Sequence, residues 1–180
     1  MVFEEKTIDS ELIYRGAILN LRKDKVTTIN GESYREIIEH NGASAIAALT
    51  DNGSLIMVKQ YRKPAEKVLL EVPAGKRDGD EPFEAAAIRE LKEETGYTAN
   101  TVKYLGMMYG SPGYSEEELH LYLATDLISG DTNFDDNEAI DIYEYPVDEL
   151  VDMVLSGEIE DGKTQVLILK VAELLRRGEI

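Results

Sequence analysis

The chain has 180 residues, 43% hydrophobic and 31% charged, with 19 basic residues against 36 acidic ones and a formal net charge of −17. That size and balance describe one folded domain, or one with a small attachment, whose core needs no structural staples. Cysteine is absent, which excludes disulfides, thiolate nucleophiles and zinc–cysteine sites.

His40 and His120 are the only histidines, so a histidine-rich metal centre is not expected. An acidic surface repels a phosphate backbone and argues against nucleic acid as a partner. A small anionic ligand is acceptable only where metal ions or local arginines reverse the field. No apolar run approaches the ~18 residues of a membrane span. The opening MVFEEKTIDSEL has no signal-peptide core. A cytoplasmic protein without membrane association is expected.

In chain order, residues 13–29 alternate imperfectly and are rich in Ile, Leu, Val and Thr; Asn30-Gly31 and SYREIIEH follow, predicting a hairpin. SAIAALT, the turn Asp51-Asn52-Gly53 and SLIMVKQYR predict a second hairpin. VLLEVPAG (68–75) reads as a buried strand ending at Pro73 and Gly75. PFEAAAIRELKEET predicts a helix closed by Gly96. TVKYLGMMYG, LHLYLATDLI and IDIYEYPV predict strands. VDELVDMVLSG and KTQVLILKVAELLRRG predict amphipathic helices. The elements divide into a small β-rich N-terminal part, residues 1–41, and one α/β domain over 42–180 with a mixed sheet flanked by helices.

The helix after Gly75 carries the chemistry. On a 100° wheel with Glu90 at zero, Glu93 lies near −60°, Glu94 near +40° and Arg89 near −100°. Three carboxylates therefore share an arc of about 100°, with Ile88 and Leu91 expected to face the core. Neighbouring glutamates repel, and a bound cation would remove that repulsion. Oxygen-only donors favour Mg²⁺, with Mn²⁺ as a substitute. Arg89 can pair with Glu81 and fix the preceding loop. The Ala74 carbonyl, beside Gly75, is a further candidate ligand. A solvated acidic helix face is the commoner meaning of such a stretch.

The spacing decides between these readings. Gly75, Glu81, Arg89, Glu90, Leu91, Glu93, Glu94 and Gly96 follow the pattern Gly, five residues, Glu, seven residues, Arg-Glu, an aliphatic, any residue, Glu-Glu, any residue, Gly. Its seven Gly, Glu and Arg positions match by chance at a given site with a probability on the order of 10⁻⁸. The segment resembles the Nudix box. One position departs from it: Tyr97 stands where the family usually has an aliphatic residue, at what is expected to be a packing site.

The resemblance implies a Nudix-type α/β/α sandwich and a metal-dependent pyrophosphohydrolase. It implies Glu90 and Glu94 as metal ligands, Glu93 as a ligand or a base, and Gly75, Glu81, Arg89 and Gly96 as structural residues. YREIIEHNGA, VKQYRKP, LLEVPAG and the Ser-Pro-Gly with Pro112, 16 residues after Gly96, resemble the ADP-ribose pyrophosphatase subfamily. That likeness implies a substrate cleaved to AMP and ribose 5-phosphate, and places Arg35, Arg62, Glu71 and Pro112 at it. The alternative for the two arginines is surface pairing with Glu36 or Glu66. The same likeness implies a general base on a later loop, with Glu138 the first candidate, and Glu116 as an added metal contact. It also implies a homodimer that exchanges its N-terminal region.

The family's aromatic after Tyr-Arg-Gly is Ala17 here, so base stacking would fall to Tyr14, Tyr109 or Tyr114. Hydrolysis of GDP-mannose or of an oxidised nucleotide, and a non-catalytic ADP-ribose sensor, are the alternatives.

Overall fold

A computed structural model describes residues 2–130 and 139–180; Asp135, Asp136 and Glu138 lie outside the described residues. The chain forms two compact units, Met1–Gly42 with Tyr109–Glu118, and Ala43–Met108 with Leu119–Ile180.

The first unit is a three-stranded antiparallel sheet of β1 (Thr7–Arg15), β2 (Leu19–Thr28) and β3 (Gly31–His40) in that order. The run read as one strand over 13–29 is thus two, and β1 begins six residues earlier than expected. Gly16 makes the break. Its N–H donates to the Leu19 carbonyl at 2.9 Å, and a Cβ there would sit 2.7 Å from that oxygen and 2.8 Å from the Tyr14 ring. The β2–β3 hairpin closes over Ile29 and Asn30, with Thr28 paired to Gly31. Residues 109–118 join this unit: Ile38 N–H donates to the Tyr114 carbonyl at 2.7 Å, and Glu116 N–H to the Ile38 carbonyl at 3.1 Å.

The second unit contains β4 (Ala43–Leu49), β5 (Ser54–Arg62), β6 (Lys67–Glu71), β7 (Ala74–Lys76), α1 (Phe83–Thr95), β8 (Thr98–Tyr109), β9 (Glu118–Ile128), β10 (Ile140–Pro146), α2 (Val147–Ser156) and α3 (Gly162–Arg177). The outermost residues of β8 and β9, Tyr109 and Glu118, count with the first unit. The mixed sheet runs β10-β5-β4-β9-β8, with β6 on β5 and β7 on β4; β4 and β9 are parallel.

The central strands β4, β5 and β9 are covered on both faces and read as near-continuous apolar runs, and period-two alternation sorts their residues between two cores. Ala45, Ala47, Leu49, Leu55, Met57, Leu121 and Leu123 pack with Leu150, Leu167, Ile168 and Val171 of α2 and α3. Ile46, Ala48, Ile56, Tyr122 and Ala124 pack with Ala87 and Leu91 of α1. This is the α/β/α sandwich expected from the sequence.

Two local expectations need correction. VLLEVPAG is not one buried strand: Val68 is exposed, and Val72-Pro73 divides the run into β6 and β7, because proline cannot donate to a ladder. The chain leaves β5 there and joins β4. On α1, Ile88 is 37% exposed while Ala86, Ala87, Leu91 and Glu94 are buried, so the apolar stripe passes to the other side of Ile88. Tyr97 packs against the α1 core, as a packing position should. Gly96 ends the helix at φ 75°, where a residue with a Cβ is strained, and its N–H caps the Lys92 carbonyl.

Leu91→Ala removes fully buried volume and is expected to lower unfolding free energy by about 2–5 kcal/mol, against under about 1 kcal/mol for Ile88→Ala. Urea denaturation of the two variants checks the assignment of the buried stripe; equal losses would contradict it.

Candidate active site

In the second unit the chemistry gathers around α1 and β7. Arg89, half-exposed, commits its whole guanidinium. Its Nε donates to Glu81 Oε1 at 3.2 Å and its Nη2 to Glu81 Oε2 at 3.1 Å and the Lys76 carbonyl at 3.0 Å. Its Nη1 reaches Glu90 Oε1 and Glu93 Oε2, both at 2.8 Å. The hydrogen bonds to Glu81 lead in raising its pKa, burial opposes them, and Glu93 and Glu90 add to the rise. The same contact holds Glu81 below the ordinary carboxylate range. The expected Arg89–Glu81 pair is present, and it is part of a larger knot.

Glu94 lies on the buried side of the helix, 3% exposed, and its Oε2 accepts from the Ala74 N–H at 3.1 Å. Glu90 lies against Gly75 so closely that a Cβ there would sit 1.9 Å from Glu90 Oε1. Glycine at position 75 is what lets a carboxylate approach the strand.

Among the described residues no group of three or more acidic or histidine side chains is drawn together as a metal cage. Arg89, bonded to both Glu90 and Glu93, offsets part of their mutual repulsion. The donor chemistry nonetheless fits a hard cation: every candidate, Glu90, Glu93, Glu94 and the Ala74 carbonyl, is an oxygen ligand.

Arg62 and Glu71, expected at the substrate, are bonded to each other. Arg62 Nε and Nη2 meet Glu71 Oε1 and Oε2 at 2.7 and 2.8 Å, a bidentate pair. Glu71 is 1% exposed and also accepts from Lys163, which reaches Asp161 at 3.0 Å. Glu66, offered as an alternative partner of Arg62, instead pairs with Lys63. Lys163 was not foreseen; its signal was a lone cation one residue inside the start of α3, far from Glu71 in sequence.

In the first unit, Arg35, Pro112 and Glu116 line one cavity of about 490 Å³ with Arg22, Ile37, Tyr109 and Tyr114. Arg35 is bonded to Glu5 through Nε at 2.9 Å and through Nη2, and not to Glu36. Glu116, expected as a metal contact, lies 3.5 Å from Arg22, which also holds Glu39 at 2.6 Å and Asp24 at 3.0 Å. Ala17 lines a second cavity of about 350 Å³ with Glu39 and His40. Tyr109 and Tyr114 border the first cavity, whereas Tyr14 borders neither.

The sequence model of the NUDIX domain matches residues 39–167, which include the whole box and every strand from β4 to β10. This chain belongs to the Nudix hydrolase family. It is 41% identical over 178 residues to the ADP-ribose pyrophosphatase of Bacillus subtilis, with 96% of each chain covered. It is 39% identical over 180 residues to the methanol dehydrogenase activator of Bacillus methanolicus, with 97% of each covered. A crystal structure of an ADP compounds hydrolase superimposes with a TM-score of 0.86, covering 100% of this chain and 99% of that one at 22% identity, a likeness that speaks to the fold. The sandwich is thus the Nudix fold, and the helix carrying Glu90, Glu93 and Glu94 is its Nudix helix. Nudix hydrolases generally use divalent metal ions.

Burial acts first to raise the pKa of Glu71, but Arg62 and Lys163 outweigh it and leave the group below its ordinary value. A depressed carboxylate contributes stability that is present above its unfolded pKa of about 4.3 and lost as pH falls through the lower folded value. Glu71→Gln is therefore expected to be less stable than the parent at pH 7, with the gap closing in acid below about pH 4. Thermal melts of both proteins from pH 7 down to 3 check this; a gap constant with pH would show that the Glu71 charge is not what the two cations hold.

Proposed function

We propose that this Nudix hydrolase cleaves ADP-ribose to AMP and ribose 5-phosphate with Mg²⁺, Mn²⁺ substituting. The observation that carries the reading is a complete Nudix box on a chain 41% identical to an ADP-ribose pyrophosphatase over nearly its whole length. In this reading Glu90, Glu93, Glu94 and the Ala74 carbonyl hold the cation. When bound, it polarises phosphoryl oxygens and activates water.

The chain's own residues do the rest. The Ala74 N–H fixes one oxygen of Glu94, so the carboxylate is oriented before any ligand arrives. Arg89 holds Glu90 and Glu93 beside one another and ties the helix to the Lys76 carbonyl and to Glu81. Arg35 offers a planar fork suited to phosphate or ribose, which must displace Glu5. Pro112, Tyr109 and Tyr114 shape the cavity at which Arg35 sits. The bonding of Arg62 to buried Glu71 supports a supporting role for both behind the site. Glu116 keeps its proposed part as an added metal contact. Glu138 is the proposed general base, with Glu93 as its alternative.

Incubation with ADP-ribose and Mg²⁺, chromatographed for AMP with an EDTA control and GDP-mannose alongside, tests the reading. Metal-dependent AMP is expected, with turnover largely lost in Glu94→Gln and the maximal rate, rather than the Michaelis constant, falling in Glu138→Gln. Cleavage of GDP-mannose alone would keep the chemistry and replace the substrate, and near-normal turnover by Glu94→Gln would remove that residue from the metal site.

The N-terminal element, residues 1–41, is proposed to dimerise and to contribute to the substrate site of the Nudix domain, residues 42–180. Every residue of β1 is exposed, including the apolar Ile8, Leu12, Ile13 and Tyr14, surface that a second copy would cover. Sedimentation is expected to give twice the 20.1 kDa chain mass, and Leu12→Lys to shift it towards the monomer; a monomeric parent would end the proposal. A cytoplasmic location, with neither nucleic acid nor membrane as partner, completes the reading. The −17 charge supports the exclusion of nucleic acid.

A further inference from the structure

The crossover between β6 and β7 is held from both faces of the sheet. Pro73 has no N–H; Val72 and Pro73 lie between the β5–β6 ladder, which ends at Glu71, and the β4–β7 ladder, which begins with Ala74 opposite Ala45. The amides on either side of Pro73 are satisfied by side chains. The Val72 N–H donates to Thr164 Oγ1, on the first turn of α3, at 3.0 Å, and both residues are fully buried. The Ala74 N–H donates to Glu94 Oε2, on α1, at 3.1 Å. Between them the Pro73 carbonyl accepts from the Ile46 N–H at 2.9 Å. One residue earlier, Glu71 is gripped by Arg62 and by Lys163, the neighbour of Thr164.

The start of α3 is itself fixed. Asp161 caps it, accepting from the Thr164 N–H at 3.0 Å, and Asp161 also pairs with Lys163. A rigid helix end on one face thus sets the position of a strand whose next amide orients a carboxylate on the other.

We infer that Thr164, supported by Lys163 through Glu71, is a positioning residue for the cation site: it holds the Val72–Ala74 crossover where the Ala74 amide fixes Glu94 and where the Ala74 carbonyl would serve as a ligand. This rests on the proposed metal role of Glu94 and Ala74. Thr164 touches neither substrate nor metal. It acts through the backbone, as outer partners of metal ligands do when they set ligand orientation.

The test separates Thr164→Val, which keeps the shape and removes the acceptor, from Thr164→Ser, which keeps the hydroxyl. Mn²⁺ binding to the full chain without substrate is followed by electron paramagnetic resonance, and hydrogen exchange of the Ala74 amide is followed by NMR. Both are read well below the melting temperature of each variant. Thr164→Val is expected to bind Mn²⁺ about 10-fold more weakly and to lose protection at Ala74, with Thr164→Ser close to the parent.

Parent-like Mn²⁺ affinity in folded Thr164→Val overturns the inference when Glu94→Gln, in the same titration, loses the ion. If Glu94→Gln also binds as the parent does, the cation-site reading falls first and takes the inference with it. Should Thr164→Val not fold, Lys163→Gln is read by the same two signals. A weaker Mn²⁺ affinity with a faster Ala74 amide supports the clamp, and neither change overturns it.

Discussion

The arrangement depends on one guanidinium. Arg89 places five hydrogen bonds on four residues, and without it Glu90 and Glu93 would repel one another across a single turn while Glu81 lost its anchor. A lysine could not substitute, because a single ammonium cannot meet partners spread on both sides of a planar fork. The conflict is built in. A site for hard cations needs concentrated carboxylate, and concentrated carboxylate destabilises the helix that displays it. Arg89 resolves this by lying at the edge of the carboxylate arc, where it can neutralise two glutamates and still tie the helix to the loop after β7.

Glu94 is handled differently. It faces the core beside Leu91, and burial would be costly for an unpartnered carboxylate. The strand provides the partner through the amide of Ala74, the first residue of β7, which pairs with Ala45 and donates its N–H to Glu94. Ala74, the glycine that follows at 75 and the helix glutamates therefore form a single design. Ala74 offers Glu94 a donor, and the missing Cβ of Gly75 admits Glu90.

The helices, both hairpins and the box were legible because each rests on local chemistry: three- and four-residue periodicity, Asn-Gly and Asp-Asn-Gly turns, and spacings within one helix. What was not legible depends on residues distant in sequence. No local signal at Arg62 distinguishes Glu66, four residues on, from Glu71, nine on, until β6 folds back beside β5 and brings the second within reach. Arg35 found Glu5, thirty residues away, for the same reason. Ile88 looked like core because it is aliphatic on an amphipathic helix. The buried stripe is Ala86, Ala87 and Leu91, and Ile88 lies to one side of it. Lys163 and Thr164 were read only as the opening of a helix, since their importance lies in what the sheet brings to them.

Charge ties the local chemistry to the whole chain. Four arginines are already matched to carboxylates: Arg22 with Asp24 and Glu39, Arg35 with Glu5, Arg62 with Glu71, and Arg89 with the box. A diphosphate approaching a chain of net charge −17 is repelled by the total and gains from these arginines only by exchanging one anion for another. Such an exchange is close to neutral in charge, so it confers orientation more than affinity. The net attraction must come from charge that the chain does not itself carry. In the proposed reading, a divalent cation held by Glu90, Glu93 and Glu94 would serve twice, once to activate the reacting groups and once to make an acidic protein hospitable to an acidic substrate.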